Sequence, residues 1–132
     1  MDQDAYSSTE TRTVFEYWQM RMGSPRSKLD QKRRRKIKQR LLDGYSAQDL
    51  IDAIEGCALS DFHMGKNDRS SVYNDIELIC RDACHVDKFI SLRTKIETEK
   101  KRAAHNAKQQ AEYVERKRQE FRDAGRHLKV AT

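Results

Sequence analysis

Nine Lys or Arg residues fall between Arg26 and Arg40, against a single acid, Asp30. A phosphate backbone rewards such a cluster by releasing counterions, so binding would weaken steeply with salt. Lys28, Lys32, Arg33, Arg35, Lys36, Lys38 and Arg40 are the candidates for that contact. Nothing in the run suits the reading of base edges, which points to contact without sequence preference. Tyr45 follows the run. Its ring could stack on an unpaired base, or pack while its hydroxyl finds an internal partner. The competing use of the charge is a solvated face that offsets Asp49, Asp52 and Glu55.

A second stretch, His63-Met64-Gly65-Lys66-Asn67-Asp68-Arg69, gathers a base, an amide, a carboxylate and cations. His63, Lys66, Asn67, Asp68 and Arg69 read as a partner-binding loop. Asn67 and Asp68 suit turn hydrogen bonds or a helix cap, and Gly65 suits a positive φ. A metal-dependent nuclease would need clustered carboxylates on a rigid frame. Only Asp68 is close, with Asp61 and Asp75 further off, so that reading is a distant alternative. Cys57, His63, Cys80 and Cys84 are soft ligands on paper, but their spacing fits no common zinc signature. Cys80 instead falls on an apolar stripe, where a free thiol behaves as a small hydrophobe. No metal, cofactor or catalytic residue is expected.

These residues must be positioned by a chain of 132 residues with net charge +6, 36% of it charged. Mean hydropathy is −1.00 and the pI is about 9.3. One modest core fits this apolar supply. One proline and five glycines leave few breakers, and the rest favours helix. No apolar run reaches the length that spans a bilayer. The acidic start, Met1-Asp2-Gln3-Asp4, is not that of a secretory signal. An odd cysteine count without a framework suggests a reducing compartment, the cytoplasm.

The pattern predicts an all-α fold: a small bundle of four or five helices with a long charged C-terminal helix. Residues 1–11 read as a flexible arm, 12–92 as the helical module and 93–132 as the charged helix or tail. The first helix is expected from about Thr13 to Met22, with Val14, Phe15, Trp18 and Met22 on one face. The second starts at the N-cap Asp30, buries Ile37 and Leu41, and stops before Gly44. The third opens at Ser46 with a capping box to Asp49 and closes at Gly56. A loop over 58–70 is held by Phe62 and Met64. The fourth helix opens near Ser70 or Ser71 and aligns Val72, Ile76, Ile79 and Cys80. The last begins near Ala83. Along it Ala107, Val114, Phe121 and Leu128 recur every seven residues. With Gln110 and Lys117 or Arg118 as companions, the repeat is weak for a coiled coil.

The pattern Val14-Phe-Glu-Tyr-Trp18, Gly23-Ser-Pro-Arg-Ser-Lys-Leu29, Lys32-Arg-Arg34, Asp43-Gly-Tyr45 and Leu50-Ile-Asp-Ala-Ile54, with Arg81-Asp82, Val86 and Phe89, resembles a known module. It is similar to the C-terminal module of phage replication-initiation (replisome organiser) proteins and to the DnaD-type primosome C-terminal region, over Val14 to Leu92. The resemblance implies a helical bundle that binds single- or double-stranded DNA and recruits a replicative helicase or other primosome protein. The Tyr, Ile and Trp at four-residue steps in DnaD-type proteins are not carried over, since Tyr73 is followed by Ile76 and by no Trp. A pure adaptor or inhibitor acting on the helicase without DNA is the alternative. No membrane partner is expected, and self-association into a homo-oligomer stays open.

Overall fold

The computed structural model describes residues 2–131, and the side chains of 8–126. It is all-α as expected. Five helices run in order: α1 (Asp2–Met22), α2 (Gln31–Leu42), α3 (Ala47–Leu59), α4 (Ile76–Ile79) and α5 (Ala83–Ala131). The only bridge among the described residues is an isolated antiparallel pair, Met64 with Val72. The chain divides into two compact units, one up to Ile96 and one from Glu97 onward.

In the first unit, α1 packs on α2 and α3, and α4 packs on α2 and α3. Val14, Phe15 and Trp18 of α1 meet Ile37 of α2, Leu50, Ala53, Ile54 and Cys57 of α3, Ile76 and Ile79 of α4, and Val86 and Phe89 of α5. The Phe15 and Trp18 rings stack at 5.6 Å. The indole N–H of Trp18 donates to Asn74 O at 2.7 Å, so the buried ring leaves no unpaired donor. At the rim, Glu55 of α3 accepts from both Tyr17 and Arg21 of α1. Asp52 pairs with Arg93, fixing α3 to the opening turns of α5.

Four local expectations are corrected. The stretch expected as a flexible arm is helical from Asp2, and Thr11 is buried. No proline or glycine interrupts residues 2–22. The side chains of residues 1–7 lie outside the described residues. Gly56 does not close α3, which continues to Leu59. A Cβ there would fall 1.8 Å from Phe89 O, so this glycine serves the close approach of α5. The fourth helix opens at Ile76, capped by Asp75, which accepts from Glu77 N at 2.9 Å. The residues before it are already engaged: Tyr73 N donates to His63 O at 2.7 Å, and Val72 bridges Met64 and is exposed. Phe62 does not pin its loop into the core. It is 56% exposed and stacks on Tyr73 at 5.8 Å.

In the second unit, every described side chain from Glu97 to Arg126 is exposed. Lys117–Glu120 and Glu115–Arg122 ion pairs, at 3.2 and 3.0 Å, decorate this helix. No described helix is long and apolar enough to cross a membrane.

Candidate nucleic-acid interface

Helix α2 carries seven Lys or Arg and no acid. The other residues up to Ile96 carry ten Lys or Arg and fifteen Asp or Glu. Charge in the first unit is therefore segregated onto one element. Its N-cap Asp30 accepts from Arg33 N at 2.8 Å. Lys32, Arg33 and Arg34 then occupy the first turn, where the helix dipole favours acids. Each such cation costs about 0.3–1 kcal/mol at an exposed site.

The inward side of α2 holds Ile37, fully buried, between two cations that the fold consumes. Arg33 makes two bonds to the Asp75 carboxylate, the shorter 2.9 Å, and a third to Lys28 O at 2.8 Å. Its guanidinium also lies 5.2 Å from the centre of the Trp18 ring. The hydrogen bonds to Asp75 hold the Arg33 pKa above its ordinary value. Arg40 is mostly covered, with Nε 3.1 Å from Asp43 Oδ2 and its N–H not aimed at the oxygen. Arg33 and Arg40, both read from sequence as phosphate contacts, therefore serve the fold. An acid stands beside each, one supplied by the α4 cap and one by the α2 C-cap.

Tyr45 is also committed. Its hydroxyl donates to Asp87 at 2.6 Å, which pushes its pKa up to about 12. Lys32 Nζ is 3.3 Å from Glu77 and remains largely exposed. Lys38 is half-buried. Lys28 and Arg35 are exposed and Lys36 is half-buried, with no carboxylate within ion-pair distance among the described residues. The same holds for Arg26 and Arg34, which stand in the same basic run although the sequence pattern did not single them out. At 100° per residue from Ile37, Arg35 points outward from α2, while Arg34 and Lys36 lie on opposite flanks of the buried stripe.

The loop after α3 is built around Asn67. Its amide donates to Phe62 O at 2.8 Å and Ser71 O at 2.6 Å, and its oxygen accepts from the amides of Arg69 and Ser71, both at 3.1 Å. Asn67 is therefore the loop's own scaffold. His63 is engaged as well, with Nδ1 2.7 Å from Ser60 Oγ and its ring edge-on to Phe89 at 4.9 Å. Burial, and then the nearby His85, hold the His63 pKa below its ordinary value. Lys66 pairs with Asp61 at 3.6 Å in full solvent. Asp68 and Arg69 remain exposed, beside an open groove lined by Phe62, Lys66 and Tyr73. Ser70 sits at φ 50°, a left-handed conformation that a serine rarely adopts. The Phe62–Tyr73 stack was not read from the sequence, because the two rings are eleven positions apart and meet only through the loop's fold.

The carboxylates weighed for a nuclease are dispersed: Asp75 is held by Arg33 and Asp61 by Lys66. Cys57 and Cys80 are buried, and burial pushes both thiols up to about 12, while Cys84 is exposed. Among the described residues, no three His, Cys, Asp or Glu side chains converge as a metal site.

The fold and the surface together define a small all-α bundle that presents one cationic helix. No family model matches the chain, and no curated protein and no solved structure matches it.

Proposed function

We propose that this protein is a non-enzymatic DNA replication accessory module. It binds DNA through the unpaired cations of α2 with little sequence preference, and the loop around Asn67 engages a replicative helicase or other primosome protein. One observation carries the DNA half: Arg34, Arg35 and Lys36 have no carboxylate partner among the described residues. Their charge is also placed on a helix whose first turn disfavours cations. Phosphates are the common polyanion that would neutralise such a surface without base readout. The exposed Phe62, Asp68 and Arg69 supply the mixture of ring and charge that a protein partner uses.

Fluorescence anisotropy with short single- and double-stranded DNA over a salt series tests this reading. Binding should weaken steeply with salt. The Arg34→Gln, Arg35→Gln, Lys36→Gln variant should flatten the log–log slope by about one for each phosphate no longer neutralised. No binding at low salt, with nuclease-resistant capture of a replicative helicase, would favour the pure adaptor. In that case α2 sits on an acidic protein surface.

A further inference from the structure

We infer that the cleft between the loop after α3 and the opening turns of α5 binds one small carboxylate, through His63, His85 and Lys88. The cleft encloses about 210 Å³ and is lined by those three residues with Phe89 and Leu92. Clefts for drug-sized ligands run from roughly 300 to 1,000 Å³. This one therefore admits a single small group and no nucleotide. None of its residues belongs to α2, so the inference does not rest on DNA binding there.

Both imidazoles are held by one nitrogen and keep the other. Ser60 Oγ accepts from His63 N at 3.4 Å and lies 2.7 Å from His63 Nδ1, so its own hydrogen goes to that ring nitrogen. The neutral His63 ring then carries its N–H at Nε2. Asp82 Oδ1 accepts from His85 Nδ1 at 2.8 Å, which leaves Nε2 of that ring as well. His63 is fixed further by lying edge-on to Phe89 at 4.9 Å. Lys88 is exposed and has no carboxylate within ion-pair distance among the described residues. The nearby acids of α5 are spent elsewhere, Asp82 on His85 and Asp87 on Tyr45. No acid lines the cleft.

An ammonium and two imidazoles without an acid suit an anion. Burial, and then His85, hold the His63 pKa below its ordinary value, so the two rings oppose each other's charge. An anion between them relieves that opposition. A metal ion fits less well, since two imidazoles would share it with an ammonium, and no three ligating side chains converge among the described residues. The floor of the cleft chooses between anions. Phe89 is buried and Leu92 half-buried, and both are apolar. A phosphate, polar on every side, would strand oxygens against them. A carboxylate sets its two oxygens at the nitrogens and its methylene stem on Phe89 and Leu92.

Imidazole nitrogen resonances of the full chain, followed by NMR during titration with butyrate, test the site. His63 and His85 Nε2 should shift together and saturate. Affinity should fall as pH rises above about 6.5, by up to tenfold per pH unit, because the histidines lose the charge that holds the anion. The groups that set this dependence are His63 from the loop and His85 and Lys88 from α5, with Asp82 behind His85. Lys88→Met should weaken binding by up to about fivefold, as for an exposed ion pair. His85→Gln should weaken it by about tenfold. Trp18 fluorescence should stay unchanged in both variants. An acetylated, amidated Ala-Glu-Ala peptide, run beside butyrate, separates the sources of the carboxylate. Tighter binding of the peptide assigns the site to a glutamate side chain of a protein, and tighter binding of butyrate to a free acid. No saturable shift, equal binding of neutral butyramide, tighter binding of inorganic phosphate, or indifference to both substitutions would overturn the inference.

Discussion

The paired and unpaired cations of α2 are the same residue types put to opposite uses. Arg33 and Arg40 are anchored by Asp75 and Asp43, and Arg33 also lies over the Trp18 ring. Arg34, Arg35 and Lys36 meet no carboxylate among the described residues. The difference lies in what faces each cation and not in the cation itself. A guanidinium beside a carboxylate and an aromatic face is a structural part, because removing it strands the acid. A guanidinium facing water on a helix that gains nothing from it is free to act on another molecule. The contrast assigns stability to the paired cations of the helix, and the proposed function gives recognition to the unpaired ones.

The bluntest way to break the comparison is to remove the frame that holds both sets. Gly56→Ala sets a methyl group 1.8 Å from Phe89 O, so α3 and α5 must separate. Overpacking of this kind costs about 3 kcal/mol here, since backbone and not a side-chain end must yield. Urea unfolding followed by Trp18 fluorescence should show it, and DNA binding should fall with the folded fraction. Arg33→Ala should come next, at about 2 kcal/mol, because a part-buried charged group loses its hydrogen bonds. Arg33→Lys should recover little, since one ammonium cannot reproduce the two-point grip on Asp75. If Arg33→Ala instead left stability intact and abolished DNA binding, the division between the two sets would be wrong.

The difference between Arg33 and Arg34 was not legible in the sequence. Asp75 is 42 positions from Arg33, and only the packing of α4 on α2 brings them together. The helices themselves were legible, because Asp30, Ser46 and Gly44 punctuate them locally and Val14, Trp18, Ile37 and Ile54 mark the buried faces. Gly56 misled for the converse reason. A glycine near a helix end reads as a stop, and its use here, the approach of the Phe89 backbone, is a tertiary fact. Val72 misled because it continues the spacing of Ile76 and Ile79 while Tyr73 is taken by His63 O. In the candidate loop the residue types were visible but their roles were not. Asn67 spends both ends of its amide on the loop, and Tyr73 reaches Phe62 only after the turn at Gly65.

Acid sharpens the paired half of the comparison. Burial raises the Asp75 pKa, but the Arg33 hydrogen bond and the Glu77 amide outweigh it and leave the value below 3.8. The stability Asp75 contributes is therefore present above its ordinary pKa and lost as pH falls through the lowered one. His63 is held neutral, below its ordinary 6.5. Its contribution is complete above 6.5 and is lost as pH falls through its own lowered value. Urea midpoints should fall in two stages on acidification, the first below the ordinary histidine range and the second below the ordinary aspartate range. His63→Gln should remove the first stage, and Asp75→Asn the second. A single stage that survives both substitutions would place the acid sensitivity elsewhere.

The smallest effect on stability should come from the unpaired cations, and that is what makes it informative. Arg34→Gln, Arg35→Gln, Lys36→Gln removes three cations with no carboxylate partner among the described residues, so stability should change by less than about 0.5 kcal/mol. Its direction should be upward, because a cation leaves the first turn at Arg34 and crowding with Lys32 and Lys38 is relieved. Affinity for DNA should fall in the same variant, and fall most at low salt where counterion release counts most. Stability held or raised while binding drops would separate the two sets of cations by experiment. Equal losses in both would mean that the unpaired cations also hold the bundle, through neighbours that side-chain geometry does not pair.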